Sequence, residues 1–345
     1  LEAVIIDAVR TPIGNFRGSL ATIRPDDLAA ITLKAIVERT GINPADIEEV
    51  YLGCANQAGE DNRNVARMAT LLADFPVTVA ALTINRLCAS GLNAVNMAAR
   101  AIKVGEGDMF IAGGVENMTR GPFVFGKPEM GYPYGSKTMW DTAFGWRFPH
   151  PKIEKMYGTE AMGNTAENLQ EFGFISREEQ DAFSLRSHQL ASAAIDDGRF
   201  KEEIIPVSIP QRKADPIIFD TDERPRRGTS MEKLAKLRPA FKKNGTVTAG
   251  NASGLNDGSA AILVMSAEKA DELGLKPMAR IISSAAAGVA PRTMGMGPVE
   301  ATKKALKRAG LTLNDIGLIE LNEAFAVQSL AVMRELGMNE EITNV

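Results

Sequence analysis

The sequence predicts an α/β protein made of two similar halves with mixed sheets, separated by a segment of different character. Three observations carry this. An internal repeat relates 28–53 to 299–322, a strand-to-helix join carries one of only two cysteines, and a long stretch at about 119–248 matches neither half. In the repeat, a constant offset aligns Lys34 with Lys303, Arg39 with Arg308, Gly41 with Gly310, Asp46 with Asp315, Ile47 with Ile316 and Leu52 with Leu321. Each copy reads as a helix stopped by glycine, an Asp-Ile turn and a strand. Duplicated units of this kind build α/β halves.

The elements follow in order. Glu2–Ala8 and Ala279–Ala285 are both strand-like and both precede Gly/Pro-containing loops. Val77–Ile84 is apolar and β-branched, which predicts a buried strand. Leu92, Val95, Ala98, Ala99 and Ile102 recur at helical spacing, and Met109–Ala112 is a strand. The segment after Thr119 is first rich in Met, Pro, Gly and aromatics (Gly121–Pro151), then predicts amphipathic helices at Thr165–Phe172 and Ser176–Asp197. Ser176 with Glu178 and Glu179 gives the second helix an N-cap and acids in its first turn. The predicted strand 316–321 and helix Ala324–Leu336 close the chain. The second copy ends before repeating the back half of the first, so about 50 further residues are expected in a complete protein. The start at Leu1 suggests a short missing N-terminal piece.

Composition narrows the classes. A net charge of −4 provides no global basic field for nucleic acid. Two cysteines argue against a disulfide framework and, with only two histidines, against a Cys-type zinc site. No run is long enough to span a bilayer. A cytoplasmic protein is expected.

The chemistry concentrates at Asn85-Arg86-Leu87-Cys88-Ala89-Ser90-Gly91. Cys88 falls near a helix N-terminus, where free N–H groups and the helix dipole favour a thiolate, and the thiolate is the nucleophile. The alternative is a buried structural cysteine. Ser90 and Gly91 are small enough for a substrate carbonyl to come close. Gly113 and Gly114 mark close packing. Arg224, Arg226, Arg227, Lys233, Lys236, Arg238, Lys242 and Lys243 fall within twenty residues, either a phosphate site or a solvated surface. Thr248–Gly258 permits close backbone approach to a ligand, or forms tight turns. Asn322 ends the predicted strand, where it holds a water or oxyanion, or caps the next helix. His150 and His188 both read as exposed.

Taken with Arg10-Thr11-Pro12-Ile13-Gly14, Gly113–Met118 and Asn322-Glu323-Ala324-Phe325-Ala326, these stretches resemble the thiolase family of acyl-CoA:acetyl-CoA acyltransferases over essentially the whole chain. The resemblance implies two α/β halves in a five-layer α-β-α-β-α stack with an inserted loop domain. The N-terminal half would be 1–118 plus 249–267, the CoA-binding insert 119–248, and the C-terminal half 268–345. It implies Cys88 as the acyl-accepting nucleophile, its backbone N–H in one oxyanion hole, and Asn322 holding a water in another. Coenzyme A is a substrate, with no covalently bound cofactor and no metal. Arg226 would lie near its nucleotide end and Phe241, Ala249 and Ser253 along the pantetheine. Met162, Met294, Ala324 and Phe325 would line the thioester. A homodimer or homotetramer is implied. The stretches 53–67 and Gly145-Trp146-Arg147-Phe148 resemble the β-ketoadipyl-CoA members. Ala161 stands where many acetoacetyl-forming members carry histidine, which weakens a biosynthetic assignment. The family's Gly-His-Pro motif and second reactive cysteine do not occur in the 345 residues, so these residues alone are expected to be inactive. The remaining alternatives are a general degradative thiolase, an acetoacetyl-CoA-forming biosynthetic thiolase, a catalytically silent CoA-binding or acyl-binding protein on this fold, and a related condensing enzyme.

Overall fold

In the computed structural model, residues 1–132 and 134–345 are described. In chain order the elements are β1 (Ala3–Arg10), β2 (Gly14–Asn15), α1 (Pro25–Thr40), β3 (Glu49–Gly53), α2 (Val65–Leu72), β4 (Ala80–Ile84), α3 (Ser90–Val104) and β5 (Met109–Asn117). The short strands β6 (Phe123–Val124) and β7 (Trp140–Asp141) precede α4 (Pro151–Tyr157), α5 (Met162–Asn168) and α6 (Arg177–Asp196). Then come β8 (Val207–Ile209), β9 (Ile217–Phe219), α7 (Met231–Ala235), β10 (Asn256–Ser266), α8 (Ala267–Leu273), β11 (Ala279–Arg280), α9 (Gly297–Ala309) and α10 (Ala326–Leu336).

The chain forms two compact units. The first is Leu1–Phe144 with Arg199–Arg224 and Leu255–Ile281; the second is Gly145–Gly198 with Pro225–Gly254 and Ile282–Val345. These units cut across the three-part division drawn from the sequence. Arg10 explains why 199–224 joins the first unit. Its guanidinium makes a bidentate pair with Asp222 at 2.8 and 2.9 Å, reaches Glu203 at 2.7 Å, and stands 5.2 Å over the Phe200 ring.

The first unit is built on a seven-stranded mixed sheet in the order β11-β1-β10-β5-β3-β4, with β2 added to β10. β10 is antiparallel to β1 and β5, whereas β3 is parallel to both β5 and β4. The period-2 rule assigns each face. Val50, Leu52, Ile111 and Leu263 join a core with Leu28, Leu33 and Ile36 of α1 and Val65 and Ala69 of α2. Tyr51, Phe110, Ala112 and Val264 pack on the other face with Ala94, Ala98 and Ile102 of α3. The unit is therefore a helix–sheet–helix sandwich.

The repeat holds up to its last element. α1 and α9 both end on a left-handed glycine, Gly41 at φ 68° and Gly310 at φ 70°, where a Cβ would be strained. Both run into a single 3-10 turn, at Pro44–Asp46 and Leu313–Asp315. The first copy then enters β3. The second does not form the predicted strand; only an isolated bridge joins Ile319 to Thr343. Ala279–Ala285 likewise contributes only the two residues of β11. A strand needs a ladder partner, and no second large sheet forms among the described residues. Among the described residues one helix–sheet–helix sandwich is present, in the first unit.

Other elements differ in detail. The run at Val77 becomes a strand only from Ala80. It takes the sheet's outer position in this unit, so β4 is partly exposed rather than buried, with Val77 at 75 %. Leu92 also faces outward despite its helical spacing. The predicted helix at Thr165–Phe172 begins earlier, at Met162, and tightens to a 3-10 turn at Leu169–Phe172. Ser176 caps α6 in a full capping box with Glu179, as its sequence implies. The second unit's core gathers Ala166, Leu169, Ile175 and Val247 with Phe325, just before α10, and Val327, Leu330 and Val332 of α10. No helix among the described residues is long and apolar enough to cross a membrane.

Candidate active site

In the first unit, Cys88 sits in a 3-10 turn, Leu87–Ala89, that leads directly into α3. Cys88 is exposed. The turn is closed by its own side chains. Asn85 Oδ1 accepts the Leu87 N–H at 2.9 Å, the Arg86 N–H donates to Ser90 Oγ at 2.7 Å, and the Ser90 hydroxyl donates to the Leu87 carbonyl at 2.6 Å. Leu87 is held at φ 49°, the left-handed region that side chains seldom adopt. Ser90 is buried with its hydroxyl committed to the turn, so its part is to build the elbow, not to leave room for a substrate.

The floor beneath the elbow is glycine. A Cβ on Gly53 would lie 2.5 Å from the Ser90 carbonyl carbon and 2.6 Å from the Gly91 nitrogen. Gly53 and Gly114 are paired across β3 and β5, and a Cβ on Gly113 would lie 2.0 Å from the Ala260 carbonyl oxygen. The absent Gly53 side chain lets the start of α3 rest on the end of β3, and those absent at Gly113 and Gly114 let the neighbouring backbones of β10 and β3 come close.

The second cysteine differs in every respect. Cys54 is 1 % exposed, its Sγ lies 3.8 Å from Asp61 Oδ2, and burial with the neighbouring Glu116 and Asp61 charges pushes its thiol up well beyond the ordinary range. Cys54, Asp61 and Glu116 present ligand atoms within 4.8 Å of one another. Protein donors already engage both carboxylates. Asp61 accepts the Gly59 N–H at 2.9 Å, and Glu116 accepts those of Ala55 and Asn56 at 2.8 and 3.1 Å.

The second unit gathers most of the residues assigned to coenzyme A and the thioester. The loop after Val247 is tied to the start of α10: Ser253 N–H donates to the Ala324 carbonyl at 3.0 Å and Ala326 N–H to the Asn251 carbonyl at 2.9 Å. This brings Ala249, Ser253, Ala324 and Phe325 onto one scaffold. Phe241 stands edge-on to Phe325 at 6.2 Å, and its ring covers Gly163, next to Met162. Met294 lies on the 3-10 turn Pro291–Met296, whose Gly295 fits against Leu169 and Gln328. Met162, Phe241 and Met294 each leave about two-fifths of their surface exposed (43, 41 and 41 %), an apolar set open to a ligand. Arg238–Asn244 lines a surface cleft of about 400 Å³. Glu167 fixes that loop's base, accepting the N–H groups of Thr246 and Val247 at 2.8 Å each.

The basic cluster separates. Arg224 belongs to the first unit, Arg227 pairs with Asp196 at 2.6 Å, and the Lys233 ammonium bonds the Gly228 carbonyl. Arg226 is exposed, and its N–H donates to His188 Nδ1 at 3.3 Å. His188 is thus half-buried and positions the Arg226 backbone, contrary to its exposed reading. His150 caps α4 through Nδ1, as an exposed residue. Asn322 is exposed and is not the cap of α10, which is Phe325. Its neighbours are pinned: Leu321 exchanges two bonds with Asn344, and Glu323 accepts from Ser187 at 2.6 Å.

Two matches to protein families account for almost all of this chain: the thiolase N-terminal domain over residues 3–268 and the thiolase C-terminal domain over 275–345. The chain belongs to the thiolase family. It is 53 % identical to the beta-ketoadipyl-CoA thiolase of Acinetobacter baylyi, over all of this chain and 86 % of that protein. It is 52 % identical, with the same coverage, to the 3-oxoadipyl-CoA/3-oxo-5,6-dehydrosuberyl-CoA thiolase of Escherichia coli. Among solved structures it resembles the Bacillus anthracis acetyl-CoA acetyltransferase, with TM-score 0.93 and 44 % identity, over 99 % of this chain and 85 % of that one. The fold is a mixed α/β thiolase fold, and thiolases act on CoA thioesters.

The sequence named Cys88 and, by resemblance, the residues expected to line the thioester. It did not reveal Asn85, Glu116, Glu167 or His188 as supports. Their partners are mostly 30 to 80 residues distant or are backbone groups, and neither periodicity nor motif spacing shows such pairs.

Proposed function

We propose that this thiolase is an acyl-CoA:acetyl-CoA C-acyltransferase of the β-ketoadipyl-CoA type, working by a ping-pong route through Cys88. The observation that carries it is the exposed Cys88 on a hydrogen-bonded elbow at the start of α3. The Cys88 thiolate attacks the C3 carbonyl of a 3-oxoacyl-CoA. The C2–C3 bond breaks, its electron pair leaves as the acetyl-CoA enolate, and a proton at C2 completes acetyl-CoA. The thiol of a second coenzyme A then attacks the acyl–Cys88 thioester and releases the shortened acyl-CoA. The reverse direction is a Claisen condensation.

By family resemblance, the Cys88 N–H and a water on Asn322 stabilise the two oxyanions. Phe241, Ala249 and Ser253 hold the pantetheine, Arg226 the nucleotide phosphate, and Met162, Met294, Ala324 and Phe325 surround the thioester. The protein works in the cytoplasm as a homodimer or homotetramer, with residues 119–248 as its CoA-binding insert. The two names shared by its relatives support a dicarboxylic acyl chain. The test is incubation with radiolabelled 3-oxoadipyl-CoA or acetoacetyl-CoA at alkaline pH, followed by peptide mapping. Label on Cys88, with preference for the dicarboxylic substrate, supports the reading. Binding of CoA with no adduct on Cys88 favours the silent binding protein.

A further inference from the structure

We propose that Asn85 is a positioning residue for the Cys88 nucleophile, acting as a two-way clamp between the loop 54–64 and the elbow. The inference rests on the reading of Cys88 as the acyl acceptor. On one side the Asn85 Nδ2 donates to the Ala55 carbonyl at 3.0 Å. Ala55 is itself fixed: its N–H and that of Asn56 donate to the two carboxylate oxygens of Glu116 at the end of β5. The adjoining Cys54 N–H donates to the Ile84 carbonyl at 3.1 Å, at the end of β4. On the other side Asn85 Oδ1 takes the Leu87 N–H at 2.9 Å. One amide therefore spans from a stretch anchored to two strand ends to the residue just before the nucleophile.

Leu87 is where this matters. Its φ of 49° is unfavourable for a leucine and persists only when its surroundings fix it. The Asn85 and Ser90 side chains provide that constraint, from the N–H side and the carbonyl side respectively. Ser90 is buried in the elbow and supports the start of α3 itself. Asn85 is exposed, so removing its amide costs little packing. Without the clamp, Leu87 is free to relax to negative φ, and that rotation swings the following peptide and the Cys88 sulfur away from the direction set by α3. Asn85 touches no reacting atom in this scheme; it acts through Leu87.

The experiment compares two reactions of Cys88 in the 345-residue chain at pH 9, where thiols ionise without a neighbouring base. Acetylation by acetyl-CoA requires an oriented sulfur; alkylation by iodoacetamide requires only an accessible one. Intact-protein and peptide mass spectrometry follow both. Asn85→Ala is expected to slow acetylation roughly tenfold to a hundredfold, the range that a displacement of about 1 Å produces, and to change alkylation less than about threefold. Leu87→Gly in the Asn85→Ala background is expected to restore most of the acetylation, because glycine takes positive φ without strain. Asn85→Asp keeps the acceptor for the Leu87 N–H but loses the donor to the Ala55 carbonyl, so its acetylation, normalised to alkylation, is expected to fall between those of the unmodified chain and Asn85→Ala. Acetylation within twofold of the unmodified chain in Asn85→Ala, or a proportional loss of alkylation, overturns the proposal. So does failure of Leu87→Gly to rescue, or an Asn85→Asp loss as large as that of Asn85→Ala. The unmodified chain provides the separate check on Cys88. If it acetylates no faster than N-acetylcysteine, the nucleophile assignment fails first and takes the clamp with it.

Discussion

Replacing Gly53 by alanine should damage the active site from below. The added Cβ would lie 2.5 Å from the Ser90 carbonyl carbon, 2.6 Å from the Gly91 nitrogen and 2.7 Å from the Ser90 Cβ. Restoring ordinary contact at 3.4 Å requires a retreat of about 0.9 Å (3.4 − 2.5) by the first turn of α3 or the end of β3. Two of the three obstructing atoms are backbone, which cannot rotate aside, and Gly53 is paired to both Ile84 and Gly114. Overpacking of this kind costs about 1–3 kcal/mol, and a site with two fixed neighbours belongs near the upper end. The same displacement carries Cys88, so acyl transfer should fall by about 10²-fold. Equilibrium urea unfolding followed by circular dichroism gives the first quantity, and acetylation of Cys88 gives the second. Gly317→Ala is the control, since nothing lies within 4 Å of its Cβ position. A Gly53→Ala midpoint equal to the control's, with unchanged acetylation, would refute the claim that the elbow rests on this glycine.

Three further outcomes are expected. Iodoacetamide near neutral pH should label Cys88 in the folded protein and leave Cys54 unmodified until unfolding, because Cys54 is buried and its thiol is pushed up by desolvation, Glu116 and Asp61; equal labelling rates in peptide maps would contradict this. Arg226→Ala should weaken coenzyme A binding more than dephospho-coenzyme A binding by calorimetry, and equal losses would remove the phosphate role. Hydrogen bonding from Arg120 holds the Glu60 carboxyl below its ordinary value of 4.5. The folded state therefore binds this proton less readily than the unfolded state, so the contribution is complete above that value and is lost as pH falls below it. Arg120→Met should flatten this part of the acid limb in pH-dependent unfolding, and an unchanged slope would discount the pair.

The two copies of the repeat show what a sequence can and cannot specify locally. Helix spacing, the stopping glycine and the Asp-Ile turn act within a few residues, and both copies form them, down to φ 68° at Gly41 and φ 70° at Gly310. The strand that follows is a different matter. β3 exists because β4 and β5 flank it on both sides. Ile316–Leu321 has a similar pattern without such a ladder and stays irregular apart from the Ile319 bridge. The same logic separates the site residues. Cys88 was legible because a strand, a turn and a helix follow one another there. Its support by Glu116 was not, because the contact with Ala55 and Asn56 spans about 60 residues and gives no periodic signal.

The glycines under the elbow connect these levels. Gly53, Gly113 and Gly114 are poor strand residues, since each gives up side-chain packing and adds backbone freedom to the unfolded chain. Their register, with Leu52 opposite Gly113 and Gly53 opposite Gly114, puts all three where β3 meets β5. Gly91 of α3 comes in above, its Cβ position 3.7 Å from the Gly113 carbonyl oxygen. A side chain on Gly53 would lift the helix start and cost the elbow its contact with the strand end, whereas side chains on Gly113 or Gly114 would push the neighbouring strands apart. The cost in sheet stability and the strain at Leu87 thus serve one geometry, in which the β-sheet sets the direction of the exposed cysteine, Cys88.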